Sequence, residues 1–194
     1  MNPDSNKIST NTAEEILLNL FGLKGSAKEL PGEVDMNFRI KVAHGEGYIL
    51  KISKPTEDID ILDFQQSLLE HIDDNDAKIM APVVIKDKET NSISQIADTN
   101  GQQRFVRLLT WVPGRLWSSV NPQLDELRFS LGEQCGILTK ALSNLDHPKA
   151  HREFVWDVAQ SLWTKEHLDL YSGDQKEIIT YFQGLFESSQ DTYV

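Results

Sequence analysis

The stretch Leu30-Pro-Gly-Glu-Val-Asp-Met-Asn-Phe-Arg-Ile40, followed shortly by Gly47-Tyr-Ile-Leu-Lys-Ile52, decides the fold of this chain. The first stretch ends in an alternation of apolar and charged side chains, and the second is a short β-rich run. Residues 44–47, which include two glycines, separate them. Alternation with a period of two on either side of a glycine-containing turn predicts a β-hairpin. Because Pro31-Gly32 interrupts the chain before the hairpin, a further strand is expected to precede it.

One charged residue, Lys51, lies inside the second apolar run. Burying an ammonium group is costly unless the group is paired. A nucleotide phosphate, or a carboxylate on the amphipathic helix predicted over residues 59–72, would supply the partner. A loop with Gly32, a strand lysine and a helix follow one another in this order in protein kinases, where they hold the phosphates of ATP. A lysine that snorkels along an exposed strand face is the alternative, and the order of the three features favours the phosphate.

The rest of the chain predicts more strands and then helices only. A first helix is expected to begin at Thr12 and to end near Gly25, and Pro122 is expected in the first turn of a later helix. Further strands are predicted at residues 83–85, 92–97 and 104–109, and further helices at 122–142, 154–163 and 174–187. This order indicates an α+β protein. We expect a tail and helix in residues 1–24, a β-rich nucleotide-binding lobe and hinge in 25–112, and the beginning of a helical lobe in 113–194.

The composition excludes several classes of protein. The 194 residues carry a formal net charge of -11, which disfavours binding to nucleic acid or to an anionic membrane surface. The single cysteine, Cys135, cannot form an internal disulfide and indicates a reducing compartment. No stretch approaches the roughly 20 apolar residues that span a bilayer. A cytoplasmic protein without a membrane or nucleic-acid partner is therefore expected.

The two opening stretches resemble the beginning of the aminoglycoside phosphotransferase superfamily, and most of all its hydroxylysine-kinase-like members, some of which are fused to a class III aminotransferase. The string Phe105-Val-Arg-Leu-Leu-Thr-Trp-Val-Pro-Gly-Arg115 resembles the strand and hinge between the lobes of these proteins. Two later strings, Leu131-Gly-Glu-Gln-Cys-Gly-Ile-Leu138 and Asp146-His-Pro-Lys-Ala-His-Arg-Glu-Phe-Val-Trp-Asp157, resemble the segments that follow. The resemblance implies a protein-kinase-like fold, with a small antiparallel sheet and one helix before the start of a helical lobe.

The resemblance also implies a binding site for ATP with magnesium and a small hydroxylated amine or amino acid as the acceptor. Lys51 would contact the α- and β-phosphates. Gln65 would hold Lys51 from the helix, at the position where the superfamily usually has a glutamate. The other residues implied in nucleotide binding lie in the loop over the phosphates and in the hinge that meets adenine through backbone groups: Gly32, Asp35, Asn37, Phe38, Thr110, Trp111 and Val112.

The catalytic loop of the superfamily, a His-Gly-Asp string with metal-binding Asn and Asp residues after it, has no clear counterpart here. Two His-x-Asp strings are present, His71-Ile-Asp73 and His167-Leu-Asp169. Both are predicted to be surface residues at helix ends. We therefore expect no catalytic residue and no metal ligand in this chain, and expect it to end just before the catalytic loop.

These features leave three hypotheses. The first is the ATP-binding part of a phosphotransferase that is inactive alone. The second is a non-catalytic kinase-like module that binds or regulates another enzyme, with a fused or associated aminotransferase as one partner. The third is an unrelated α+β domain with a lysine on an outer sheet face. A helical lobe that is cut short would expose apolar surface, so self-association is also expected.

Overall fold

The alternating segments form a six-stranded antiparallel sheet in the computed structural model, which describes residues 7–74, 78–152 and 157–189. The strands are β1 (Ser26–Leu30), β2 (Met36–Lys41), β3 (Tyr48–Ile52), β4 (Val84–Ile85), β5 (Ser94–Ala97) and β6 (Gln103–Thr110). The sheet order is β1-β2-β3-β6-β4, and β5 also pairs with β6. The predicted hairpin, the strand before it and the three later strands are all confirmed.

The last strand, β6, holds the two halves of the sheet together. Along one edge it pairs with β3, with Lys51 opposite Arg107. Along the other edge it pairs with two short strands: Val84 of β4 lies opposite Leu109, and Ser94 of β5 lies opposite Val106. Strand β6 is long enough to pair with both short strands on one edge, because β4 pairs near its C-terminal end and β5 pairs with its N-terminal half.

The turn between β2 and β3 requires its second glycine. Gly47 has a φ of 77°, a conformation that side chains with a Cβ rarely adopt. A Cβ at this position would also lie 2.1 Å from the carbonyl oxygen of Ile40. The glycine at position 47 therefore lets the turn pass close to the backbone of β2.

One face of the sheet packs against a helix near the N-terminus, α1 (Thr10–Ile16), which continues as a π-helical segment, Leu17–Phe21. Because alternate strand residues point to opposite faces, the apolar residues of β2, β3 and β6 collect on this side. The fully buried residues of this core are Ala13, Leu17, Phe38, Ile40, Leu50, Ile52, Val106 and Leu108. The core therefore sits between the first helix and the inner strands.

The predicted ends of the first helix were each wrong by a few residues. Ser9 is the N-cap, because its Oγ accepts a hydrogen bond of 3.1 Å from the backbone N–H of Thr12. The helical segment ends at Gly22, whose φ of 69° is the left-handed conformation that stops many helices. Thr12 and Gly25 are the same kinds of capping residue at neighbouring positions, so composition alone could not choose between them.

A buried arginine joins the ends of three strands. Arg104 of β6 is 3% exposed, and its Nε donates to Asp98 Oδ2 at 2.7 Å while Nη1 donates to the carbonyl oxygen of Ser53 at 3.0 Å. The hydrogen bond from Arg104 lowers the pKa of Asp98. This pair fixes the turn between β5 and β6 against the end of β3.

Two longer helices complete the first of the two compact units into which the chain divides, Met1–Lys149. Helix α2 (Ile59–Asp74) confirms the predicted amphipathic helix. Helix α3 (Asp125–Leu142) begins after Pro122, which follows a cis peptide bond and is not in the helix as predicted. The two helices meet at His71, whose Nε2 lies 3.1 Å from the carbonyl oxygen of Ala141.

The second unit, Ala150–Val194, is helical in its described part. A 3-10 segment, Val158–Leu170, has a non-helical residue at Gln160, and α4 (Gly173–Ser189) confirms the last predicted helix. Gln183 of α4 donates to Thr164 Oγ1 at 2.8 Å. The helix predicted at residues 154–163 falls partly outside the described residues.

Many large apolar side chains of the helical segments are exposed. Helix α3 has no buried residue, and Cys135 on it is exposed. The exposed side chains in these segments include Leu116, Leu124, Phe129, Leu131, Val158, Leu170, Tyr181 and Phe182. Within the described ranges, no helix is both long enough and apolar enough to cross a bilayer.

We predict that Leu108→Ala lowers the free energy of unfolding by about 2–5 kcal/mol, because it removes buried methyl groups and leaves a cavity in the core of the first unit. Leu108 is fully buried, whereas Leu116 is 76% exposed. Urea denaturation followed by circular dichroism measures the loss. Leu116→Ala is the matched control and should change the unfolding free energy by less than about 0.5 kcal/mol. Equal losses in the two variants would contradict the position of the core.

Candidate functional site

A row of three polar side chains crosses the sheet on the face opposite the core. Asn37 of β2 lies opposite Lys51 of β3, and Lys51 lies opposite Arg107 of β6. Residues directly opposite one another in a sheet project from the same face. Their strand neighbours, such as Phe38 and Leu50, therefore point into the core, and the row lies on the other side of the sheet.

The amine of Lys51 has two partners from the same short segment. Its Nζ donates to Asn37 Oδ1 at 3.0 Å and forms an ion pair of 3.2 Å with Asp35 Oδ2. The side chain of Lys51 is 23% exposed and that of Asp35 is 13% exposed. A lysine that only snorkelled to solvent would have no such partners. The apolar strand therefore holds a paired lysine, although its partners do not come from the helix as predicted.

The loop between β1 and β2 comes close to this lysine because of Gly32. A Cβ at Gly32 would lie 2.2 Å from the carbonyl oxygen of Asp35 and 2.5 Å from Asn37 Nδ2. The Asn37 Nδ2 itself donates to that carbonyl oxygen at 3.1 Å. The loop therefore folds back against its own backbone next to Asn37. Only a residue without a side chain fits at position 32, the second residue of the loop.

Asn37, Lys51, Asp35 and Arg107 together form the lysine cluster. Arg107 was not predicted from the sequence. Its side chain is 3% exposed, and it donates from Nη2 to Asp35 Oδ2 at 2.8 Å and from Nη1 to Gln65 Oε1 at 2.7 Å. Burial lowers the pKa of Arg107, and the neighbouring Asp35 opposes this shift. The signal was present in the sequence, since Arg107 stands in an apolar strand just as Lys51 does.

The role expected for Gln65 needs a correction. The sequence predicted that Gln65 would accept a hydrogen bond from Lys51, but its Oε1 accepts from Arg107. The partners of Lys51 come from the loop and from β2. The long side chain of Arg107 reaches the helix from the neighbouring strand, so the link between α2 and the sheet runs through the arginine.

Phe38 also needs a correction. The resemblance placed it in the loop over the phosphates, but its ring is 1% exposed and packs in the core. The physical reason is the alternation of β2, in which Asn37 faces the cluster and Phe38 therefore faces the opposite side. A phosphate near Lys51 could not reach this ring.

The hinge residues are the last residue of β6 and the two that follow it, and two of their backbone donors are already used. The N–H of Thr110 donates to the carbonyl oxygen of Val83, and the N–H of Trp111 donates to that of Gly47, each at 2.9–3.0 Å. Within the described part of the chain, no hydrogen bond occupies the N–H of Val112. The contact with adenine that the resemblance implies would have to use Val112 N–H or a carbonyl oxygen of this segment.

A further arginine, Arg39, lies against the ring of Trp111. The guanidinium carbon of Arg39 lies 4.0 Å from the centroid of the indole, a cation–π contact. Arg39 also donates to the carbonyl oxygens of Ile40 and Glu46, and burial lowers its pKa. Strand β2 is thereby attached to the hinge as well as to β3.

The two His-x-Asp strings lie at or near helix ends, as predicted. His71 is in the last turn of α2. His167 lies near the end of the 3-10 segment, with its ring 5.6 Å from that of Trp163, and Asp169 is almost fully exposed. Across residues 7–74, 78–152 and 157–189, no group of three or more His, Cys, Asp or Glu side chains could hold a metal ion.

The geometry describes a cluster of charged and polar side chains on one face of the sheet. Two cations, Lys51 and Arg107, face a single carboxylate under the loop that contains Gly32. An anion entering beside Lys51 meets an ammonium group and the amide of Asn37 on a sheet face that water reaches only in part. The charges of such a cluster suit a phosphate, and its one carboxylate is already bound by two cations.

The sequence of this chain matches a known family, and its fold matches solved structures. A sequence model of the phosphotransferase enzyme family, APH, matches residues 26–185. No curated protein matches the chain. Solved structures do match, and two of them are kinases that act on small molecules.

The first is amicoumacin kinase hAmiN in complex with AMP-PNP, Ca2+ and Ami, with a TM-score of 0.68 at 14% identity over 100% of this chain. The second is the microcompartment-associated aminopropanol kinase, with a TM-score of 0.69 at 15% identity over 96% of this chain. The chain spans only 56% and 58% of the length of these two structures. At such low identity the likeness shows the fold alone. The sequence match covers most of the chain, so the chain belongs to the APH phosphotransferase enzyme family and has its protein-kinase-like fold.

Proposed function

We propose that this chain is the ATP-binding part of a phosphotransferase that acts on a small hydroxylated amine or amino acid. The observation that carries the proposal is the paired lysine: Lys51 lies under the Gly32 loop on the sheet face opposite the core, with Asn37 and Asp35 as its partners. Family membership and the fold of two small-molecule kinases support the same assignment. Because the chain spans little more than half of those kinases, the activity belongs to a longer protein.

The cluster fits the phosphates of a nucleotide. A phosphate oxygen can replace Asp35 at the Lys51 amine, since both are anions and the carboxylate keeps Arg107 as its second partner. Backbone close to Gly32 can approach a phosphate because no side chain stands there. The hinge at Val112 lies beyond the end of β6, where a purine could meet backbone groups.

Magnesium fits less well in the part of the chain that the structure describes. The carboxylate nearest the proposed phosphate position, Asp35, is already bound to two cations. When bound, magnesium would neutralise phosphate charge in the transfer reaction. We assign no residue of this chain to it and derive no step through it.

The partners expected from the sequence follow from this proposal. The nucleotide and the small hydroxylated acceptor are ligands of the complete protein, which we place in the cytoplasm. The exposed apolar side chains of α3 and α4, such as Phe129 and Phe182, make self-association of the isolated chain an expected property. The association with an aminotransferase stays a prediction from the family resemblance.

A non-catalytic kinase-like module is the alternative function. It would keep the lysine cluster but transfer no phosphate. The two are separated by incubating the complete natural gene product with Mg-ATP and a panel of hydroxylated amines and amino acids, and by measuring ADP release. Release that depends on one acceptor supports the kinase, and its absence for all acceptors with retained ATP binding supports the module.

We predict that Lys51→Ala weakens binding of Mg-ATP by about 10- to 100-fold, because it removes a charged donor worth about 1.5–3 kcal/mol. Calorimetric titration of the complete natural gene product with Mg-ATP measures the affinity. Lys28→Ala is the matched control, since Lys28 is an exposed lysine of the same sheet, and it should bind like the wild type. Equal affinities in wild type and Lys51→Ala would rule out the proposed role of the lysine.

We further predict that Gly32→Ala weakens Mg-ATP binding by at least about threefold, because the new Cβ forces the loop away from Asp35 and Asn37. The same calorimetric titration reports the change. Gly132→Ala is the control, since a Cβ on that helical glycine meets nothing within 4 Å. If Gly32→Ala bound Mg-ATP as tightly as the control, the loop would not be part of the nucleotide site.

A further inference from the structure

We propose that Arg107 is a positioning residue that holds Asp35 and Gln65, and so keeps the Lys51 amine available for a phosphate. The inference rests on the proposed function and concerns the same site. In this chain the lysine is not paired with a glutamate of the helix, and the arginine takes over the task of connecting the helix, the sheet and the loop. No proton or phosphate passes through Arg107.

The first argument is the geometry of Asp35. One of its oxygens, Oδ2, lies 2.8 Å from Arg107 Nη2 and 3.2 Å from Lys51 Nζ. The shorter contact is also the more deeply buried one, because the side chain of Arg107 is 3% exposed and that of Lys51 is 23% exposed. Buried charged pairs are costly to break. The carboxylate therefore has an anchor that remains when a ligand takes its place on the lysine.

The second argument is the chemistry of Gln65. A glutamine carries no charge, so it cannot neutralise a lysine, but its amide oxygen accepts a hydrogen bond of 2.7 Å from Arg107 Nη1. The planar guanidinium has donors pointing in fixed directions, and this lets one side chain hold two acceptors at once. Helix α2 and the β1–β2 loop are thus fixed relative to each other by a single residue of β6.

The third argument is the local charge. Lys51 and Arg107 supply two positive charges, and Asp35 returns one negative charge, which leaves one positive charge to face a phosphate. Glu57 also acts on Arg107 through its charge, but its own carboxylate lies 3.7 Å from Lys54 Nζ. Without Arg107, the negative charge of Asp35 would neutralise the positive charge of Lys51. A phosphate would then have to displace an anion that has no other partner.

The test uses Arg107→Met, which removes the guanidinium and keeps much of the apolar stem. The matched control is Arg104→Met, on the same strand, because Arg104 is equally buried and also binds an aspartate, Asp98, away from the cluster. Both variants should lower the melting temperature. Only Arg107→Met should weaken Mg-ATP binding, by about tenfold, the effect expected for the loss of a hydrogen bond between charged groups.

A second measurement does not depend on nucleotide. Acetylation of Lys51 by an N-hydroxysuccinimide ester, followed residue by residue with mass spectrometry, should become several-fold slower in Arg107→Met, because Asp35 then stays on the ammonium group. Lys28 serves as the internal reference. Unchanged acetylation of Lys51 in the folded variant would overturn the proposal, as would an equal loss of affinity in Arg104→Met.

A conservative variant keeps the test decisive if Arg107→Met does not fold. Arg107→Lys retains the charge but cannot hold Asp35 and Gln65 together, so we expect a folded protein with threefold or greater loss of Mg-ATP affinity and slower acetylation of Lys51. Wild-type values for both would refute the inference. If the complete natural gene product does not bind Mg-ATP, the proposed function fails, and the acetylation rates alone decide on Arg107.

Discussion

The rest of the site depends on the cost of placing two cations on the sheet face opposite the core. Lys51 and Arg107 stand opposite each other on β3 and β6, and neither ammonium nor guanidinium can leave water without a partner. Asp35 meets both of them, and this draws the β1–β2 loop down over the strands. Gly32 is needed because the loop must then pass within contact distance of its own backbone. A single electrostatic requirement thus explains the position of the loop, the need for glycine and the link to α2.

Sequence patterns could predict the strands and the lysine because both depend on local chemistry. The alternation before the 44–47 turn leaves few choices for the hairpin, and Lys51 is conspicuous in an apolar run. The partners of Lys51 could not be predicted in the same way. Gln65 is at a suitable place in the chain, but whether it meets Lys51 or Arg107 is decided by side-chain reach across a sheet whose order the sequence does not show. Phe38 was misplaced because a motif was carried over as a block, although adjacent residues of a strand face opposite sides.

The fold and the chemistry belong to different lengths of chain. The six-stranded sheet, its core and the lysine cluster all lie within the first compact unit. The kinases of similar fold are almost twice as long, and the described residues here contain no group of three or more His, Cys, Asp or Glu side chains that could hold a metal ion. The apolar side chains exposed on α3 and α4 are consistent with helices that need further protein around them. The proposed phosphate binding therefore involves only residues of the first unit, and it can be tested without the transfer reaction.

The late position of β6 in the sequence has a consequence for how the protein folds. Strands β1, β2 and β3 are joined by short turns and can pair locally, whereas β6 must close a long loop before it reaches β3. On the ribosome, which adds about 5–20 residues per second, the hairpin with Lys51 emerges several seconds before Arg107 does. During that interval the lysine has its aspartate but no arginine beside it. The lysine cluster is therefore completed only when β6 inserts beside β3.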